Sequence, residues 1–320
     1  MPRISLIVTV QKGEASLRRC VDSILNQSYR NFDLVLVDDG CPDACPCICD
    51  EYEDTDPRVH AIHRKAAGLS AARNAGLEWV LRNSDSQWVA FLGSDAWVHR
   101  EFLETLAPGT CADAGISALG SGHTDGTVPE VRYLSAMEAY CGEYDRMLPV
   151  WGKLVRKDLL ETLRFPEDRT WGDGFVTHFL TFEAETVALV DADLCYTDPA
   201  PRGKWSPKQL EELEAHEQRL AYLQVRGYDD AFRRELEAYA DALCRHTETV
   251  TRLARSHKKL RPCCRTLRLK LRHALSMGRK QGLFPRGQDT LRMDLLAWPV
   301  GPLQTLMLRK PKTDRSPEES

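Results

Sequence analysis

The sequence predicts an α/β protein: a mostly parallel, Rossmann-like sheet flanked by helices, followed by a helical C-terminal region. Three observations predict it. Short apolar runs alternate with segments of helical period through the first hundred residues. Polar and acidic turns follow those runs, where a parallel sheet presents its carboxyl edge. From Ser206 onward the pattern turns helical and highly charged.

Taken in order, Ile4–Val10 is an apolar run fit for a buried strand. Leu17, Cys20, Val21, Ile24 and Leu25 then recur on one helical face. Phe32–Val37 reads as a second strand, ending in Asp38-Asp39-Gly40. Ile48–Tyr52 reads as helix and Val59–His63 as a third strand. Leu69–Leu81 is a helix with Leu69, Ala72, Ala75, Gly76 and Trp79 on one side. Trp88–Leu92 is a fourth strand, followed by Gly93-Ser94-Asp95. Beyond residue 107 the signal thins, leaving Gly115–Leu119 and Val187–Val190 with strand character and a helix marked by Phe175, Phe179 and Phe182. Ser206-Pro207 has the pattern of a helix start. Pro262, Pro285, Pro299 and Pro302 divide the rest into short helices.

The chain has 320 residues, 42% of them hydrophobic and 28% charged. It is long enough to bury a core without disulfides or metals, which excludes a disordered tail, a collagen-like repeat and a small cysteine-stapled scaffold. No apolar run reaches the length of a membrane span, and the first one reads as a strand rather than a signal peptide. Residues 1–250 carry 26 Lys/Arg against 42 Asp/Glu, whereas residues 251–320 carry 17 against 5. An acidic body with a basic tail points to an anionic partner for the tail. Eleven cysteines read as mostly reduced and buried thiols. Cys41, Cys45, Cys47 and Cys49 are spaced unlike familiar zinc or iron–sulfur patterns; they read as a turn and helix start with some thiols packed inside, and a bound metal stays open.

Strand ends gather Thr9 to Lys12, Asp38, Asp39 and Asp95 at one crevice. Carboxylates brought together there repel one another, and a cation or cation-rich ligand would relieve the repulsion. Taken singly, each aspartate also reads as a helix cap.

Four stretches carry a family resemblance: ISLIVTVQKGEASLRRCVDSILNQSYRNFDLVLVDDG, AAGLSAARNAGL, WVAFLGSDAWV and WGKLVRKDLLETLRFPEDRTWGD. With them the chain resembles the family 2 glycosyltransferases, of GT-A fold, over about residues 4–206. The resemblance implies transfer of a sugar, with inversion, from a nucleotide-diphosphate donor to an acceptor hydroxyl. It divides the chain into a transferase domain, 1–206, and a helical basic extension, 207–320. It aligns Asp38 and Asp39 with aspartates facing the nucleoside, Arg73 with the arginine of the A-R-N segment, and Asp95 with the second aspartate of D-x-D, a contact of metal and diphosphate. It aligns Asp173 with the general base. Thr9, Gln11, Lys12 and Ser94 fall in the donor-binding turns, and Arg202 and Ser206 where many members place a late loop over the diphosphate. The implied cofactor is Mg²⁺ or Mn²⁺. The implied partners are a nucleotide-sugar and a saccharide or lipid-linked acceptor in cell-surface polysaccharide or glycoconjugate synthesis.

The departures thin the acidic chemistry. Thr9-Val10-Gln11-Lys12 replaces a proline, a variable residue, tyrosine and asparagine; Gly93 replaces the first aspartate of D-x-D, Ala96 a common third acidic residue, and Gly172 the glutamate beside the base. Fewer carboxylates mean a weakly held, even dispensable cation, with Lys12 a candidate substitute. A catalytically inactive relative, binding a nucleotide or a partner protein as a scaffold, is the alternative. In residues 252–308, eleven Lys/Arg between 252 and 280 are interspersed with leucines, and Leu267, Leu271, Leu275 and Cys264 share a helical face. This tract fits an anionic membrane surface, and equally a helical appendage folded on the acidic body. It offers no nucleic-acid motif or aromatic stacking platform. The expected location is cytoplasmic, with peripheral attachment to the inner face of the plasma membrane.

Overall fold

The computed structural model describes residues 2–110, 114–120, 130–198 and 205–297. The chain divides into two compact units, Met1–Glu211 and Glu212–Ser320.

The first unit begins with β1 (Ile4–Val10), α1 (Glu14–Leu25), β2 (Phe32–Asp38), α2 (Cys45–Thr55), β3 (Val59–His63), α3 (Leu69–Asn83) and β4 (Trp88–Gly93). β1 pairs in parallel with β2 on one side and β4 on the other, and β2 pairs in parallel with β3. These strands read as unbroken apolar runs because both faces are covered. On one face Ile4, Leu6, Val8 and Val10 join Leu34, Leu36, Ala90 and Leu92 in a core with Leu17, Val21 and Ile24 of α1 and Ile48 of α2. On the other face α3 lies close to the sheet, and a Cβ at Gly76 would collide with Ile7 Cγ2. The small residue there sets how near the helix comes.

The second half of this unit was only partly legible. It contributes β5 (Ala96–Val98), α4 (Phe102–Leu106), β6 (Ile116–Leu119), β7 (Val131–Ser135), α5 (Ala136–Gly142), α6 (Tyr144–Met147), β8 (Lys153–Arg156), α7 (Gly172–Glu183), β9 (Thr186–Val190) and β10 (Cys195–Thr197). The main sheet runs β3-β2-β1-β4-β8-β6-β9-β7, and β5 pairs with β10 in a separate ribbon. β8 is antiparallel to both of its neighbours, β4 and β6, and β7 is antiparallel to β9. The architecture is therefore the expected mostly parallel sheet flanked by helices, with a helical region after it.

The second unit holds α8 (Glu211–Arg226), α9 (Asp229–Leu253), α10 (Arg261–Lys280) and α11 (Gln288–Ala297). α9 and α10 are long rather than the short helices expected from the prolines. Pro262 opens α10 instead of breaking it, since the first turn needs no donor there. Cys264, Leu267, Leu271 and Leu275 form the predicted stripe on α10 and are buried, and α10 packs against α9 and α11. Inside the unit, Glu235 is fully buried and accepts from Arg219 Nε at 2.9 Å, with His216 Nδ1 2.6 Å from the same oxygen.

Candidate active site

Register brings the sequence-predicted residues of the first four strands to one edge. Val10 lies opposite Asp38, and Thr9 lies opposite Gly93. The Ser94 N–H donates to the Thr9 carbonyl at 3.1 Å, and the Asp39 N–H to the Val10 carbonyl at 3.0 Å. Thr9, Asp38, Asp39 and Ser94 are buried there, while Gln11, Lys12 and Asp95 are exposed.

The aspartates differ in how free they are. Asp38 accepts from the Cys41 N–H at 2.9 Å and contacts His63 Nδ1 at 3.1 Å. Burial opposes its charge, yet hydrogen bonds from Cys41 and His63 outweigh that and hold its carboxyl below the usual range. His63 is raised in turn by its hydrogen bonds to Asp38 and Asp50. Both oxygens of Asp39 are occupied, accepting from the N–H groups of Ala67 (3.0 Å) and Gly68 (2.7 Å) just before α3. Arg64 Nε stands 3.6 Å from Asp39, and its buried Nη1 has no hydrogen-bond partner among the described residues. Asp95 makes no hydrogen bond or ion pair among the described residues. Its Oδ1 lies 2.5 Å from where a Cβ at Gly93 would stand, so the carboxylate folds over the glycine that replaces an acidic residue.

The loop held by Asp39 leads into α3 and its Arg73. Arg73 Nη1 forms an ion pair with Asp173 Oδ1, and the Val150 N–H donates to Asp173 Oδ2 at 3.1 Å. Three contacts bring the two together. Asn74 clamps Phe165 through paired bonds of 2.8 Å to its backbone N–H and carbonyl, Arg73 lies over the Phe165 ring, and Gly172 packs on Ser70. A side chain at Gly172 would strike Ser70 Oγ. Asp173 is thus fixed in the first turn of α7, where the helix N-terminus also favours its charge. A cleft of about 440 Å³ adjoins, lined in part by Asp145, Pro149, Trp151, Gly152, Lys153 and Asp193.

Arg202 lies outside the described residues, and Ser206 precedes a short 3₁₀ turn, Pro207–Leu210, without capping it through its side chain. Sequence reasoning missed His63, Arg64, Asn74 and Lys153. The first two stand at the carboxyl end of β3, where their position was the available signal. Asn74 directly follows Arg73, and Lys153 carried no readable signal because β8 was not foreseen. Of the cysteine cluster, Cys45 and Cys49 are buried in the core and Cys47 is exposed. Ligand atoms of Cys41, Asp43 and Cys45 lie within 4.8 Å of one another. Burial first, then Asp43, pushes the Cys45 thiol up to about 12, so without a metal it stays protonated.

Residues 5–156 match the family model for Glycosyl transferase family 2. The chain is 30% identical over 250 residues to Glycosyltransferase GlyA of Streptococcus pneumoniae serotype 4, covering 71% of this chain and only 35% of that protein's length. It is 34% identical over 106 residues to the minor teichoic acid biosynthesis protein GgaA of Bacillus subtilis, covering 32% of this chain and 23% of GgaA. Among solved structures, S. aureus TarS 1-349 in complex with UDP-GlcNAc is similar with a TM-score of 0.51 at 16% identity, over 89% of this chain and 93% of that one.

Proposed function

Residues 5–156 are a glycosyltransferase family 2 domain, and on that premise we propose that the protein transfers a sugar, with inversion, from a nucleotide-diphosphate donor to a hydroxyl of a surface polysaccharide or glycoconjugate. The observation that carries the proposal is the convergence just described. One sheet edge holds Thr9, Asp38, Asp39, Ser94 and Asp95, and a hydrogen-bonded path leads from Asp39 through the start of α3 to the Arg73–Asp173 pair.

In this reading the Asp38 and Asp39 turn forms the nucleoside wall, with the unpaired Arg64 Nη1 as a spare donor toward the ligand. Gln11, Lys12 and Ser94 border the diphosphate. Asp173 takes the proton of the attacking hydroxyl, a contribution of typically 10²–10⁴ in rate. Arg73 holds one oxygen of that carboxylate and the Val150 N–H the other, which fixes its aim. A divalent cation fits weakly: Asp95 offers one free carboxylate, and diphosphate oxygens with water would complete the shell. Bound there, it would neutralise charge growing on the leaving diphosphate. GgaA is named for teichoic acid synthesis, which supports a surface-polymer acceptor. The proposed location is the cytoplasmic side of the membrane.

Thermal-shift titration of the full chain with UDP-, GDP-, dTDP- and CMP-sugars, with and without Mn²⁺, tests the donor, since ligand binding stabilises the native state by mass action. TarS was solved with UDP-GlcNAc, which places UDP-sugars first in the screen. Asp173→Asn is expected to keep the donor-induced shift and lose turnover by about 10²-fold or more. A protein that binds no nucleotide-sugar at all refutes the proposal, and one that binds but never turns over, with Asp173→Asn indistinguishable, is a scaffold.

A further inference from the structure

Lys153, the first residue of β8, is 4% exposed, and the chemistry proposed above does not use it. An ammonium so deeply placed is costly unless its donors are satisfied and its charge is answered. Its Nζ donates to the carbonyls of Met147, at 3.1 Å, and Pro149. The turn bearing those acceptors ends at Val150, whose N–H holds Asp173 Oδ2. Burial drags the Lys153 ammonium down to about 7, and the charge that pulls it back up is the carboxylate of Asp173. Asp173 is therefore held by Arg73 from α3 and by the Val150 N–H of a turn that Lys153 of β8 secures.

We infer that Lys153 is a positioning residue for Asp173: it locks the 147–150 turn so that the Val150 N–H aims the carboxylate. The inference rests on Asp173 being the base. Pro149, Trp151 and Lys153 also line the cleft, so a molecule lodged there meets the same turn that orients Asp173. The other charges on that wall are Asp145, Arg146 and Asp193; Arg146 is already paired with Glu143. An arrangement of this kind suits a base whose partner must arrive in one orientation.

The test is NMR of the full-length protein labelled at valine and aspartate, reading the Val150 amide and the Asp173 carboxyl carbon at one pH, beside turnover. Asp173→Asn identifies the resonance by its disappearance. Lys153→Gln retains a donor for the turn and removes the charge; Lys153→Met removes both and suits a buried site; Lys153→Arg retains the charge. Losing the donor frees the turn, so the Val150 amide and Asp173 carboxyl signals are expected to move in Lys153→Met, with turnover down about tenfold and the donor-induced thermal shift kept. Both signals should stay nearer their wild-type positions in Lys153→Gln and Lys153→Arg, which still offer the turn a donor. Signals unmoved in Lys153→Met, or moved as far in Lys153→Gln and Lys153→Arg, overturn the inference. Failure of the underlying reading looks different: Asp173→Asn turns over donor at the wild-type rate while the response of the Val150 signal to Lys153→Met persists.

Discussion

At the residue scale, the site is defined by which carboxylates are already committed. Asp39 is tied to the backbone before α3, Asp38 to Cys41 and His63, and Asp173 to Arg73 and Val150, which leaves Asp95 as the free acid of the four. Gly93→Asp would return a second carboxylate beside it. The new Cβ displaces Asp95 from over the glycine, and two oxygens then face one another across a gap a cation can fill. The expected outcome is tighter Mn²⁺ binding than wild type, read by calorimetry, and no gain would mean that Asp95 is not a metal contact. His63 supplies a pH signature. Its folded pKa is raised, so its contribution to stability is complete below about 6.5, the ordinary histidine value, and disappears as pH climbs through the raised value. Asp38 acts in the opposite sense, its contribution fading only as pH falls through its lowered value. Melting curves of wild type and His63→Gln should converge on the alkaline side and separate on the mildly acidic side.

At the element scale, α3 is the part on which most depends, because it carries Arg73 and Asn74 and lies against β1 and β2. Gly76→Ala gains helix propensity but forces a methyl into Ile7, and overpacking of that kind costs about 1–3 kcal/mol. Lower thermal stability together with weaker donor-induced stabilisation is expected; a more stable protein would show that the helix can lift without consequence. The same helix explains what was legible. Its apolar face, the buried parallel strands and the acidic turns at their ends are local patterns, and they fixed the N-terminal half of the first unit. β7 and β8 were not foreseen because each is five residues or fewer and antiparallel, held by pairing with strands distant in sequence rather than by periodicity. Asp173 and Arg73 could be named from the resemblance. Their direct pairing could not, since it depends on Asn74 holding a segment some ninety residues away.

At the scale of the whole molecule, the basic tract has two layers of meaning. The leucine stripe of α10 is spent on contacts within its own unit, and Lys270 and Arg279 are paired with Glu217 and Asp294. No helix among the described residues is long and apolar enough to cross a membrane. Attraction to a bilayer through α10 would therefore be electrostatic, carried by residues such as Arg261, Arg265 and Lys280, which form no ion pair among the described residues. Flotation with liposomes containing anionic lipid should recover the protein at low ionic strength and release it at about 1 M salt, where charges a few ångströms apart are already screened; recovery insensitive to salt would point to an apolar anchor instead. The first unit has a comparable division of labour in its main sheet. β1 meets β2 over seven residue pairs and β4 over six, but β4 meets β8 over two, Trp88 with Arg156 and Val89 with Val155, beside one isolated bridge from Phe91 to Trp151. That narrow join is a crease: Asp95 hangs from one side of it and Lys153 from the other. Flexing there would widen or narrow the gap between Asp95 and Lys153 without unzipping the β1–β4 pairing, and amide protons along β8 should exchange faster than those of β1.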